Sequence, residues 1–214
     1  MNTPIIVIGS GGHATVLVDA LLAAGAMVLG LTDTDAGRQG AEVCGRPVIG
    51  DDAELANYRP HDVQLVNGVG SIGSSTGRRA VQTKLEDAGW TFATVRHPTA
   101  HVSPFARVVP GAQLLAGSIV QPRAVIAVGC IVNTRAVVEH DVTLGDFTHV
   151  APGAVICGDV RIGAGCHIGA GAVIRQGITL GADTIIAAGA VVVRDHPGRA
   201  VLAGVPARIL PRKS

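Results

Sequence analysis

His140 and Asp141 are adjacent, pairing the side chain that titrates near neutral pH with a carboxylate one position away. A carboxylate that accepts from one imidazole nitrogen fixes the tautomer and raises the basicity of the other, as general-base catalysis near pH 7 requires. A second constellation, Gly9-x-Gly11-Gly12-His13-Ala14, has small residues where backbone amides could cradle a phosphate, with Asp33 placed to accept from a ribose or a base. His149 precedes His167 by eighteen residues, and paired imidazoles raise the question of a metal. Zinc needs convergent ligands, whereas solenoid carbonic anhydrases use three histidines at spacings unlike the 9 and 18 found here, so no metal is expected. Asn133, just after Val132, suits either a turn or a substrate contact.

These residues need elements to carry them. From Val102 to Val192 an aliphatic residue recurs at every sixth position, sixteen times without a gap, with a small or β-branched residue four places later in each of the first fifteen hexads. Six fits neither a helix nor a lone alternating strand, but it fits a β-solenoid in which three hexads close one triangular coil. Residues eighteen apart then stack at about 4.8 Å, giving about five coils and a prism roughly 25 Å tall. In that register His140 points outward at a corner of the hexad Val138-Glu139-His140-Asp141-Val142-Thr143, and His149 and His167 should stack on one corner of successive coils.

Residues 1–97 follow a different pattern. Strands are predicted at Ile5–Ile8, Met27–Leu31, Val63–Val66 and Thr91–Val95, and helices at His13–Ala24 and Thr76–Ala88, each helix ended by Gly. The alternation implies a small parallel α/β domain, and 97 residues suffice for one mononucleotide-binding half of a doubly wound sheet. Residues 98–214 form the solenoid. The first segment has seven Lys/Arg against ten Asp/Glu and the second ten against six, so the solenoid better suits a polyanionic ligand. Arg194, Arg199, Arg208, Arg212 and Lys213 are either contacts to the phosphates of such a ligand or a solvated basic tail.

Composition excludes other classes. Charged residues are 15% of the 214, net charge is +1, and 48% of residues are hydrophobic, which argues against both disorder and nucleic-acid binding. The longest apolar stretch, residues 16–31, contains Asp19 and two glycines and is too short to span a bilayer, so no membrane insertion is expected. No basic leader precedes Ile5, which makes the cytoplasm the expected location. Cys44, Cys130, Cys157 and Cys166 show no C-x-x-C spacing and are expected to be buried free thiols.

The chain resembles the NeuD/PglD-type bacterial sugar acetyltransferases. The resemblance rests on Gly9-Ser10-Gly11-Gly12-His13, His97-Pro98, Asn133-Thr134, Val138-Glu139-His140-Asp141, Phe147-Thr148-His149 and the closing Gly204-Val205-Pro206-Ala207-Arg208. It implies a Rossmann-like α/β domain followed by a left-handed parallel β-helix, a homotrimer with sites between neighbouring prisms, and acetyl-CoA as donor. It further implies His140 as catalytic base with Asp141 raising its basicity, although many relatives carry Glu at the second position. By the same resemblance His149, Ala170 and Ala188 contact acetyl-CoA, while Gly11, Gly12, His13, Thr32, Asp33 and Gly70 hold a nucleotide-linked sugar. The expected reaction is direct N-acetylation of a 4-amino group on a UDP- or GDP-linked deoxysugar. O-acetylation of a sialic-acid-like sugar and a non-catalytic nucleotide-sensing scaffold are the alternatives.

Overall fold

The computed structural model describes residues 3–71 and 73–210, so Arg212 and Lys213 of the basic cluster lie outside the described residues. Chain contacts divide it into two compact units, one made of residues up to 70 together with 77–98, the other of residues 71–76 and those from 99 onward.

The first unit is an α/β layer. Its elements are β1 (Ile5–Ile8), α1 (Gly12–Ala23), β2 (Val28–Thr32), β3 (Glu42–Val43), β4 (Arg46–Gly50), β5 (Gln64–Asn67) and α2 (Thr76–Asp87). The sheet order is β3-β4-β2-β1-β5, with β1 parallel to both β2 and β5. β1 is buried along its whole length, as a central parallel strand covered on both faces must be. Two sequence expectations change here. The antiparallel hairpin β3–β4 was not foreseen. The strand expected at Thr91–Val95 shortens to a bridge between Leu65 and Phe92 plus the pair Val95–Arg96.

In the second unit each hexad contributes a two-residue strand, and the strands stack into three parallel faces. The first face contains Ile119–Val120, Val137–Val138, Val155–Ile156, Val173–Ile174 and Val191–Val192; the second contains Val125–Ile126, Thr143–Leu144 and Arg161–Ile162; the third contains Gln113–Leu114, Ile131–Val132, His149–Val150, His167–Ile168 and Ile185–Ile186. Partners are eighteen residues apart, as in Val137 with Val155 and His149 with His167. The second residue of each pair points inward. Val138, Leu144, Val150 and Ile156 are fully buried together with the small residues Ala136, Val142, Ala154 and Cys166. Narrow coils leave no space for rings, which explains why the interior is filled by Val, Ile, Leu and Ala.

All four cysteines are free, but Cys44 is exposed and Cys157 only half-buried, contrary to the expected burial. Cys44 occupies the tip of the unforeseen hairpin, where no core exists to receive it.

Candidate active site

The corner between the first and second faces carries His140 and Asp141. Asp141 has a φ of 63°, a left-handed conformation usually given to Gly, and this turns its carboxylate back along the corner. Its Oδ2 lies 2.7 Å from His140 Nδ1, so Nδ1–H donates and Nε2 is left as the basic atom. The imidazole is half exposed and reachable by a substrate. Arg123 makes a bidentate pair with the same carboxylate, Nε to Oδ1 at 2.5 Å and Nη2 to Oδ2 at 2.7 Å. The Arg123 hydrogen bond, and after it that of His140, holds the Asp141 carboxyl well below the usual carboxylate range. Above the ring lies Gly158, one coil further on. A Cβ there would come within 2.5 Å of His140 Cε1 and 2.6 Å of Nε2, so only Gly leaves room for the imidazole.

A second cluster runs along the third face and the corner that follows it. Asn133 Oδ1 accepts from the Thr134 amide at 2.7 Å, which turns Nδ2 toward His149 Nε2, 3.1 Å away. Nδ2 can only donate. Nε2 of His149 therefore accepts, its proton is assigned to Nδ1, and Nδ1–H meets Ser71 Oγ at 3.2 Å. His149 and His167 pair in register on a face rather than at a corner, and their rings are edge-to-face at 5.0 Å and 85° instead of stacked. His167 is half-buried, its Nδ1 buried with no hydrogen-bond partner among the described residues, and burial pushes its pKa down. Ala170 and Ala188 are exposed on the corner after this face, joined by the bond from the Gly189 amide to the Ala170 carbonyl at 2.9 Å. Among the described residues no group of three or more His, Cys, Asp or Glu is arranged to hold a metal.

The α/β unit has its own cavity, of about 260 Å³, at the carboxyl ends of β1, β2 and β5. β1 stands between β2 and β5, where the strand order switches to the other side of β1, which is where open α/β sheets bind ligands. Gly11, Asp33 and Gly70 line it with Ser10 and Asp52. Thr32 is buried, its Oγ1 donating to Asp52 Oδ1 at 2.7 Å. Gly12 opens α1, and His13 packs at the Gly70 backbone. Gly68 must be Gly, because a Cβ would lie 2.8 Å from the Ile8 carbonyl oxygen and 2.9 Å from Ala14 Cβ. Burial works against the Asp33 charge, but hydrogen bonds from Ser10 and the Asp35 amide and the charge of Arg38 outweigh it and keep the carboxyl below its ordinary range. Arg38 also donates from Nη1 to the Ser10 carbonyl at 2.8 Å.

Sequence reasoning missed Arg123, Gly158, Ser71, Ser10, Arg38 and Asp52. The eighteen-residue register exposes the first two, since Arg123 precedes Asp141 and Gly158 follows His140 by that interval. Ser71 comes from outside the repeats and had no such signal.

A small α/β domain with a cavity at its strand ends, followed by a hexapeptide solenoid bearing a His–carboxylate pair, defines a class of acyltransferase. Residues 4–85 match the PglD N-terminal domain family and residues 159–194 the bacterial transferase hexapeptide family of six repeats. The acetyltransferase domain of PglB from Neisseria gonorrhoeae, solved in complex with acetyl coenzyme A, is 36% identical with a TM-score of 0.91, over 98% of this chain and 100% of that one. PerB from Caulobacter crescentus, solved with CoA and GDP-perosamine, is 38% identical with a TM-score of 0.89, over 97% of each chain. WeeI from Acinetobacter baumannii, 24% identical with a TM-score of 0.78 over 96% of this chain and 99% of that one, shares the fold. The chain belongs to the NeuD/PglD-type sugar acetyltransferases, acetyl-CoA-dependent enzymes whose repeat domain is a left-handed parallel β-helix. No helix among the described residues is long and apolar enough to cross a membrane.

Proposed function

We propose that this protein transfers the acetyl group of acetyl-CoA to the 4-amino group of a UDP- or GDP-linked amino deoxysugar. The observation that carries the reading is His140 on an open corner with Nδ1 committed to Asp141 and Nε2 free of that bond. The amine nitrogen attacks the thioester carbon as His140 Nε2 takes its proton; the C–N bond forms, the C–S bond breaks, and the proton passes to the departing thiolate. A backbone amide of the cofactor groove stabilises the oxyanion. No covalent acetyl-enzyme is needed. The likeness to PerB, solved with CoA and a GDP-linked sugar, supports this substrate class. In this reading residues 1–97 hold the nucleotide through Gly11, Gly12, His13, Thr32, Asp33 and Gly70. Residues 98–214 hold acetyl-CoA through His149, Ala170 and Ala188, Asn133 touches the substrate, and the enzyme works in the cytoplasm.

The working form is a homotrimer. Within one chain His140 lies on the corner after the first face, whereas Asn133, Ala170 and Ala188 lie on the corner before it. Between them the outward side chains of the first face, Ile119, Val137, Val155, Val173 and Val191, form a half-exposed aliphatic ladder. Packing those ladders about a three-fold axis covers them and brings the cofactor corner of one copy beside the base corner of its neighbour.

The test is a thiol-release assay with acetyl-CoA against UDP- and GDP-linked 4-amino sugars and a free sialic acid, run beside His140→Ala. Turnover of an amino sugar that falls about 10²-fold or more in the variant is the expected result. Activity on the sialic acid alone reassigns the enzyme to O-acetylation. A folded His140→Ala trimer with near-wild-type turnover overturns the role of His140.

A further inference from the structure

Arg123 stands eighteen residues before Asp141, one coil below it on the same corner, and both residues have a φ of 63°. The guanidinium grips both carboxylate oxygens, and the oxygen taken by Nη2, Oδ2, is the one that also accepts from His140 Nδ1. One oxygen thus serves a guanidinium and the imidazole at once. We infer that Arg123 is a positioning residue for acetyl transfer: acting through Asp141, it fixes the carboxylate plane and offsets its charge, setting the pH range in which His140 is neutral and able to take a proton. The inference rests on the reading of His140 as general base.

Geometry supplies the first argument. A carboxylate gripped at one oxygen turns about its last bond, whereas a planar fork on both oxygens holds it in one orientation. The imidazole lies where a Cβ on Gly158 would come within 2.5 Å of its Cε1, so Arg123, through Asp141, and Gly158 together limit where Nε2 points. Exposure supplies the second. With 70% of the Arg123 side chain in solvent, the ion pair adds little to folding, and its effect falls on its neighbours in the corner.

Charge supplies the third. An unscreened carboxylate beside an imidazole favours imidazolium, and a guanidinium on that carboxylate counteracts it. Charged residues next to His140 in sequence and register are Glu139 on its own coil and Asp159 on the coil above, whose amide donates to the His140 carbonyl at 3.0 Å and whose carboxylate lies 3.3 Å from Arg161 Nη2. Asp141 stays ionised throughout the working range, so its charge stands beside the His140 ring at every pH of interest.

Wild type, Arg123→Ala and Arg123→Lys are compared by NMR titration of the His140 ring, assigned through His140→Gln, and by pH profiles of kcat and both KM values. In Arg123→Ala the His140 midpoint rises by roughly half a pH unit, and the acid limb of kcat moves up with it. Its plateau kcat falls about three- to ten-fold while both KM values stay within about two-fold. Arg123→Lys keeps the midpoint but recovers only part of the plateau, because an ammonium cannot span both oxygens. A midpoint unmoved in Arg123→Ala overturns the inference. So does a raised KM for the nucleotide sugar with an unmoved limb, which makes Arg123 a diphosphate contact. A midpoint that moves in a protein whose wild type acetylates no sugar supports the coupling, and it is then the acetyltransferase reading that fails.

Discussion

His140 is placed by a hole as much as by its partners. The ring rests where a Gly158 side chain would be, and a methyl group there forces the imidazole off its bond to Asp141 or pushes the coil outward. Displacing a base by about 1 Å costs on the order of 10²-fold in rate, so Gly158→Ala should lose at least about ten-fold in kcat. Because the residue sits on a corner and not among the inward-facing aliphatics, its melting temperature should stay close to wild type. A variant with full kcat would show that the ring has another place to sit. Arg123 bears on the imidazole through Asp141, and Gly158 by the space it leaves. Neither is near His140-Asp141 in sequence, and only the eighteen-residue register brings them to that corner.

The solenoid was legible at the level of elements because its rule is local and repeated. Each hexad supplies one inward aliphatic and one small partner, and a single slip would turn a strand inside out. The hairpin β3–β4 escaped for the opposite reason. Its two-residue turn has Cys44 and Gly45 at positive φ, 49° and 70°, a geometry that sequences usually announce with Asn-Gly or Asp-Gly. Spacing alone also misjudged the third face. It put His149 and His167 in register but could not show that Ser71, from outside the repeats, would meet His149 there. The sheltered His167 has a measurable consequence for the fold. Burial disfavours its charged form, so the unfolded chain takes up a proton near pH 6.5 that the folded chain refuses. The stability that this residue allows is complete above that pH and declines as pH falls through the unfolded value toward the lower folded one. Melting curves from pH 7 to 5 should therefore drop less steeply in His167→Gln than in wild type. Equal slopes would mean that the ring protonates without resistance in the folded protein.

At the scale of the whole molecule, the proposed reaction needs groups that one chain holds apart. The base corner and the cofactor corner are consecutive edges of the prism, with the aliphatic ladder of the first face between them. A site assembled from two copies makes a prediction that no single-chain site shares. His140→Ala spoils the base corner alone, and Ala188→Glu spoils the cofactor corner alone by placing a charged side chain where the exposed backbone turn should admit acetyl-CoA. Each pure trimer should be inactive. When the two variants are co-expressed in equal amounts and mix at random, a site works only if its cofactor corner comes from a His140→Ala chain and its base corner from an Ala188→Glu chain. That combination arises in about one site in four, so the mixture should recover about a quarter of wild-type activity, all of it in mixed trimers. If base and cofactor are instead held by one chain, every site in the mixture carries one of the two lesions, and no ratio of variants restores turnover.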